Sequence, residues 1–247
     1  MCSCPPTIWL QSDTKWSNAD NGTFSTLATL IPKVGIMSQP VRTAGPASAG
    51  TISLLHLVQL LATSGARCVL PFVLEDQTCL AVAQLAEDKP GEPPYMNGGN
   101  SNIPLLLFRW TGEHFDPWLE LPASGSEDAE FFRIGERSFL ATASLRSGSG
   151  PYEINTNSTL FEWKNGTFET FQQFPTFAAK QWRAFAIGQR HFLALAQGVV
   201  MEGLVATNPS ESIIFEWNGT SFQFFQTVPS AWGYNWTHFQ IEDEHYL

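Results

Sequence analysis

Charge is scarce in this chain: only 15% of its 247 residues are Asp, Glu, Lys or Arg, and they lean acidic, to a formal net charge of -10. An excess of that sign and size repels phosphate backbones, so nucleic acid is not an expected partner. Long hydrophobic runs are missing too. The greasiest stretch, Ile52 to Ala62, is broken by His56 and Gln59 and is too short to cross a bilayer, so no membrane insertion is expected. The start, Met1-Cys2-Ser3-Cys4-Pro5-Pro6, has neither the basic nor the apolar region of a signal peptide. Cysteine is sparse, and four residues (Cys2, Cys4, Cys68, Cys79) are too few for a disulfide scaffold. Cys2 and Cys4 lack the second pair that a zinc site needs. Cys68 and Cys79 flank an expected hairpin whose turn near Glu75-Asp76 would not set them opposite each other; a bridge and two buried thiols are both open.

Catalytic signatures are absent as well. There is no Gly-x-Ser-x-Gly elbow, no phosphate-binding glycine loop and no Cys-x-x-Cys pair. His56, His114, His191, His238 and His245 show no metal-ligand spacing. Glu127, Asp128 and Glu130 fall in an expected interblade turn, and Glu242, Asp243 and Glu244 at an expected hairpin tip; both groups read as solvated charge. The chain is therefore not expected to be an enzyme and no cofactor is expected. A structural calcium ion is compatible with the architecture argued below, but no ligand position can be assigned.

Aromatics are abundant: 19 Phe and 9 Trp. They recur in register. The segment Trp182-Arg-Ala-Phe185-Ala-Ile187-Gly188-Gln-Arg-His-Phe192-Leu193-Ala194-Leu-Ala196 returns upstream as Phe132-Arg-Ile134-Gly135-Glu-Arg-Ser-Phe139-Leu140-Ala141-Thr-Ala143, and again as Phe72 through Cys79-Leu80-Ala81-Val-Ala83. Each is followed by a second half: Trp110 with Phe115 and Pro122, Trp163 with Phe168 and Pro175, Trp217 with Phe222 and Pro229. In all three, Trp to Phe is five positions and Trp to Pro twelve, and the copies repeat after 53 and then 54 residues. A fourth copy begins at Trp236 and Phe239 and stops where Ala-x-Ala is due, which reads as truncation. Trp16, Asn21-Gly22-Thr23-Phe24 and Pro32 look like a further second half with a short insertion after the Trp. A degenerate match places Leu55, Gln59, Ala62 and Thr63 against Phe222, Gln226, Pro229 and Ser230. Lys33 to Gly50 matches nothing well and reads as a loop or a decayed blade. Thr51 to Ser64 also fits a short amphipathic helix with Leu54, Leu55, Val58 and Leu61 on one face.

Each copy reads as two hairpins. Gly135-Glu136, Gly188-Gln189, Asn165-Gly166 and Asn218-Gly219 are the residues that tight hairpin turns need, because they accept positive φ. Four strands per repeat of roughly 40–55 residues is the blade of a propeller. Helical repeats are excluded, since neither half carries an apolar period of 3.6 over helical length. The predicted fold is all-β, a β-propeller segment of about 3–4 four-stranded blades. Residues 1–66 would hold degenerate N-terminal blade material and a loop, and 67–247 the propeller arc. Recurrence at fixed positions assigns Trp110, Phe115, Phe139, Trp163, Phe168, Trp182, Phe185, Phe192, Trp217, Phe222, Trp236 and Phe239 to the repeat core rather than to a sugar-binding platform. The non-recurring aromatics Trp118, Tyr152, Trp232 and Tyr234 and the long loops 84–104 and 144–158 are the better candidates for a contact surface.

Phe192-Leu-Ala-Leu-Ala196, Phe215-Glu-Trp217-Asn218-Gly219, Gln226-Thr-Val-Pro229, Trp236-Thr-His-Phe239 and the turn Thr63-Ser-Gly65-Ala66 together resemble the EAR, or epitempin (EPTP), repeat family, from about Arg67 to the end. That resemblance implies a propeller, seven-bladed in family members, found in secreted or cell-surface proteins, binding receptors or ligands and catalysing nothing. Five Asn-x-Ser/Thr sequons, at Asn21, Asn157, Asn165, Asn218 and Asn235, point the same way, to a glycosylated protein of the secretory pathway. The expected partner is thus an extracellular or cell-surface protein. Two other readings stand beside this one: a glycan-binding or glycan-processing propeller, and the non-functional product of an incomplete gene model.

Overall fold

The computed structural model describes residues 33–38, 56–92, 98–198, 200–202, 205–207, 211–230 and 233–247. Strands β1 (Lys33–Ser38) and β2 (His56–Ala62) form an antiparallel pair. A first four-stranded sheet follows: β3 (Ala66–Leu74), β4 (Gln77–Gln84), β5 (Leu105–Trp110) and β6 (Phe115–Leu121), in that spatial order. The second is β7 (Ser126–Ile134), β8 (Arg137–Ser144), β9 (Asn155–Lys164) and β10 (Thr167–Phe177). The third begins with β11 (Ala179–Ile187) and β12 (Arg190–Gln197), sends out the short hairpin of β13 (Val200–Glu202) and β14 (Val205–Thr207), then finishes with β15 (Glu211–Trp217) and β16 (Phe222–Pro229). A last hairpin, β17 (Phe239–Ile241) and β18 (Glu244–Tyr246), ends the chain as given. All pairings are antiparallel, and the fold is all-β: propeller blades of four strands.

One sequence expectation changes here and another narrows. The described part of 51–64 is not helical: it holds β2, in which Gln59 and Leu61 face the first sheet while Leu60 is exposed. The two-residue alternation of a strand edge won over a helical period that three or four leucines can mimic. Of Lys33 to Gly50, read as loop or decayed blade, residues 33–38 are a strand that pairs with β2, which fits blade material rather than loop, and 39–50 lie outside the described residues.

Turn chemistry sets the hairpins. At the β9–β10 turn Asn165 and Gly166 both take positive φ, 52° and 81°, the pair that a right-twisted two-residue connection requires. The β3–β4 turn uses Glu75 and Asp76 in the same region, at 48° and 61°. Every second strand is apolar on both faces because it is sandwiched between neighbouring sheets. Leu80, Ala81, Val82 and Ala83 are all 0% exposed, as are Leu193, Ala194 and Leu195. The alanines keep the sheets close where the blades converge.

Neighbouring sheets are joined by aromatic contacts between the last strand of one and the first strand of the sheet before it. Phe168 of the second sheet meets Phe72 of the first at 6.5 Å, and Phe222 of the third meets Phe132 of the second at 5.8 Å. A glutamine secures two of these joints. Gln59 Nε2 donates to the Phe115 carbonyl at 2.7 Å while its Oε1 accepts the Phe115 N–H at 2.8 Å. Gln172 does the same to Phe222, at 2.8 and 3.0 Å. Gln59 sits in the column that the degenerate alignment gave it, so β2 is the outer strand of a unit preceding the first sheet. Phe239 departs from the expected core: it is 49% exposed, because nothing among the described residues covers the outer side of its hairpin.

Candidate functional site at the inner-strand rim

The first strands of the three sheets, β3, β7 and β11, lie side by side and form the inner wall of the arc. The repeat register puts Arg67, Glu127 and Lys180 in one column at their leading ends. Arg67 Nε lies 3.7 Å and Lys180 Nζ 3.9 Å from Glu127 Oε1. Arg146 approaches from the following loop; it is buried, and Arg67 is among the charges that lower its pKa. Three cations thus converge on one carboxylate, a local excess of positive charge in a chain whose net charge is -10. Burial pulls the Lys180 ammonium and the Arg146 guanidinium below their ordinary pKa values, and Glu127 only partly offsets this.

Two aromatic rings frame the cluster. The Arg146 guanidinium stacks 3.7 Å from the Tyr152 ring centroid, and Lys180 Nζ lies 5.3 Å from that of Tyr234, an exposed side chain. The two loops expected to carry recognition hold Arg146 in place by locking together. Ser101 N–H donates to the Gly148 carbonyl, Gly148 N–H to Asn102 Oδ1 and the Tyr152 hydroxyl to the Gly99 carbonyl, each at 2.8 Å. Lys89 Nζ bonds the Ser149 carbonyl. Arg146 itself donates from Nε to Ser101 Oγ and from Nη2 to the Gly98 carbonyl. Gly125 lets the β6–β7 turn pass beneath: its φ is +47°, and a Cβ there would stand 2.5 Å from the Arg146 carbonyl.

Beneath the rim lies a row of buried acceptors. Asp128 Oδ2 takes the Trp182 N–H at 3.1 Å, Glu130 Oε1 the Ala184 N–H at 2.9 Å, and Gln181 Oε1 the Trp236 N–H at 2.5 Å. The acidic group around 127–130, expected to be solvated in a turn, is therefore strand: it belongs to β7, and Glu130 is only 8% exposed. Burial pushes Asp128 up to about 6 and Glu130 up to about 7. Both carboxyls are spent on the backbone of the next blade, and the cleft of about 240 Å³ between Asn157, Pro175 and Gln197 lies elsewhere. Cys68 abuts Asp128; burial pushes its thiol up to about 12, which removes the thiolate a nucleophile would need. Cys68 and Cys79 are free thiols, with Cys68 opposite Ala83 and Cys79 opposite Phe72. Among the described residues no cluster of three metal-ligating side chains occurs.

The other sequence candidates are placed as follows. Tyr152 and Tyr234 are at the rim; Trp118 is not, packing instead 5.4 Å from Trp163 and beneath Arg109 at 3.8 Å on the outer side. Trp232 and Asn21 lie outside the described residues. Asn157, Asn165, Asn218 and Asn235 are all exposed. Of the aromatics assigned to the repeat core, Phe115, Phe139, Phe168, Trp182, Phe192 and Phe222 are buried, while Trp110, Trp163, Phe185, Trp217 and Trp236 are half-buried at joints between sheets. Sequence reasoning missed Arg67, Arg146 and Lys180. The signal was the column 67/127/180, which changes charge from copy to copy.

Residues 167–218, one full period from β10 through β15, match the EPTP domain model. Over those residues the chain is similar to an EPTP repeat. It is also similar to the thrombospondin-type laminin G domain and EAR repeat-containing protein. The Homo sapiens protein is 32% identical over 146 residues, covering 58% of this chain and 21% of the relative. The Mus musculus protein is 33% identical over 157 residues, covering 62% and 22%. The match thus spans about a fifth of these relatives' length. The EPTP repeat marks a module for protein–protein interaction. No helix among the described residues is long and apolar enough to cross a membrane.

Proposed function

We propose that this EPTP arc is an extracellular, non-catalytic module that binds a receptor or ligand protein through its inner-strand rim, and that the partner presents acidic side chains there. One observation carries the reading: Arg67, Arg146 and Lys180 converge on a single carboxylate in a chain of net charge -10. Partly buried cations that share one carboxylate gain from a second that enters between them, because screening by water is reduced there. Tyr152 and Tyr234 add rigid amphipathic surface of the kind enriched at interfaces. The exposed sequons and the relatives' laminin G association support a secretory setting.

The test is secretion of the chain behind an added signal peptide, with size-exclusion chromatography and enzymatic deglycosylation, followed by binding to a panel of displayed cell-surface proteins. A soluble monomer that loses mass on deglycosylation is expected, and any partner found should be lost by Lys180→Glu or Arg67→Glu at unchanged melting temperature. Retention in the cell, or binding indifferent to both reversals, would overturn the reading.

A further inference from the structure

The second and third sheets each hold an ion pair at the same register. Arg137, the first residue of β8, gives two hydrogen bonds to Glu162 on β9, from Nε at 2.5 Å and from Nη2 at 2.9 Å. Arg190, the first residue of β12, makes the same pair with Glu216 on β15, at 2.6 and 3.0 Å. The Arg137 guanidinium also lies 4.9 Å from the ring of Phe171 and 4.9 Å from that of Trp217 in the third sheet. Arg190 likewise lies over Phe192 and Phe225. Cation, carboxylate and aromatic rings thus recur together.

The first sheet breaks the pattern. Gln77 stands in the column of Arg137, and Arg109 in that of Glu162, so the cation has changed strands and the carboxylate is gone. The rings are kept. Trp118 stands in the column of Phe171 and meets Trp163 of the second sheet at 5.4 Å, and the Arg109 guanidinium lies 3.8 Å over Trp118. Arg109 makes no ion pair among the described residues, and its Nε is buried without a partner. The polar side chain beside it is Cys79, a thiol and so a weak acceptor. The acids around these rings are engaged elsewhere. Asp116, opposite Arg109 in register, lies 2.9 Å from His114 Nε2, and Glu75 accepts the Trp163 Nε1–H at 2.8 Å. A half-buried guanidinium with an unmet donor is costly until something accepts from it.

We infer that Arg109, Trp118 and Trp163 form a docking point for a carboxylate side chain of a partner protein. The chain's own precedent selects a carboxylate: Glu162 and Glu216 are what this fold sets against an arginine here, in the planar two-bond geometry that a guanidinium matches. All three side chains are half-buried, so a partner reaches them while the indoles hold water off the pair. Trp and Arg are also the residues that most often anchor protein interfaces. β5 runs parallel to β3, and Arg109 is its second-last residue whereas Arg67 is the second residue of β3. The docking point therefore lies toward the opposite end of the first sheet from the rim, and it does not rest on the rim's reading.

Heteronuclear NMR of the full 247-residue chain tests this, with sodium acetate, sodium sulfate and sodium chloride as probes at equal ionic strength. Acetate should move the Arg109 Nε–H and the Trp118 and Trp163 indole N–H resonances saturably, while chloride leaves them in place. Arg109→Gln should weaken the indoles' response to acetate by about tenfold or more, the loss of one charge-assisted pair. Lys180→Glu at the rim should leave that response intact. The double variant Gln77→Arg with Arg109→Glu rebuilds inside the first sheet the pair that the other two contain. Its indoles should no longer respond to acetate in a protein that still melts cooperatively. Indoles that follow acetate and chloride alike, or that still follow acetate in the double variant, would overturn the inference. So would a stronger response to sulfate than to acetate, which would assign the site to a sulfated or phosphorylated ligand.

Discussion

Between pH 4 and 7 the joint between the second and third blades should weaken, and Glu130→Gln should remove much of that loss. In the fold Glu130 titrates at about 7 rather than 4.5, because burial disfavours its charge more than the Ala184 N–H and Arg183 favour it. The unfolded chain releases this proton near 4.5, whereas the folded chain keeps it to about 7. Stability is therefore fully present below 4.5 and falls as pH rises through 7, by about 3 kcal/mol at about 1.4 kcal/mol per unit. Asp128, raised from 3.8 to about 6, acts in the same direction. The two carboxyls repel each other, so their effects are not additive. The amide introduced by Glu130→Gln would keep an oxygen for the Ala184 N–H, bonded at 2.9 Å in the native protein, and would carry no charge to bury. Urea unfolding at half-unit intervals from pH 4 to 8 reads the outcome. The free-energy gap, variant minus wild type, should widen by about 2–3 kcal/mol across that range, which is roughly a 1 M shift in urea midpoint. Parallel curves would refute the argument, since they would mean that Glu130 ionises in the fold as it does in water.

Three further outcomes follow from the same packing. Gln172→Ala leaves the Phe222 N–H and carbonyl unpaired at a part-buried joint and should cost about 1–3 kcal/mol by urea unfolding. Phe139→Ala removes a ring that is 0% exposed and meets Phe132 at 5.4 Å, Phe171 at 5.3 Å and Trp217 at 5.7 Å; a loss of about 3–5 kcal/mol is expected. Cys68 and Cys79 should resist iodoacetamide at pH 8 in the native protein and both react after denaturation, as read by mass spectrometry, because neither is bridged and burial raises both thiols.

The fold was legible because its period is carried by large residues with one job each. Trp163 and Trp217 reach back to the preceding sheet, Phe168 and Phe222 fill the joint, and Asn165-Gly166 turns the outer hairpin, so spacing alone gave two hairpins per copy. β2 was harder, because Leu54, Leu55, Val58 and Leu61 satisfy a helical period as readily as the stretch satisfies a strand; only the Gln59 column separated the two. The rim was illegible for a different reason. Glu127, Asp128 and Glu130 look like a solvated acidic turn in sequence, yet strand alternation and the bulge between Ser126 and Asp128 send two of them into the next blade and leave one at the surface. Arg146 gave no signal at all, since its place depends on two loops from different blades meeting each other.

On the proposed reading, stability and recognition occupy adjacent columns of the same strand, and this separates their tolerance to change. Residue 128 or 181 must accept an N–H from the following blade, so it is held to types that can. Its predecessor faces the rim and bonds nothing in the backbone, so Arg67, Glu127 and Lys180 can differ at little cost to the joint. These ion pairs are partly buried and 3.7–3.9 Å long, so desolvation of the charges offsets much of their attraction. Charge at the rim can therefore be reset blade by blade while the acceptors behind it keep the arc together. On the proposed reading, a partner's carboxylate entering there would meet Arg67 and Lys180 on strands positioned by that deeper row rather than by their own salt bridges.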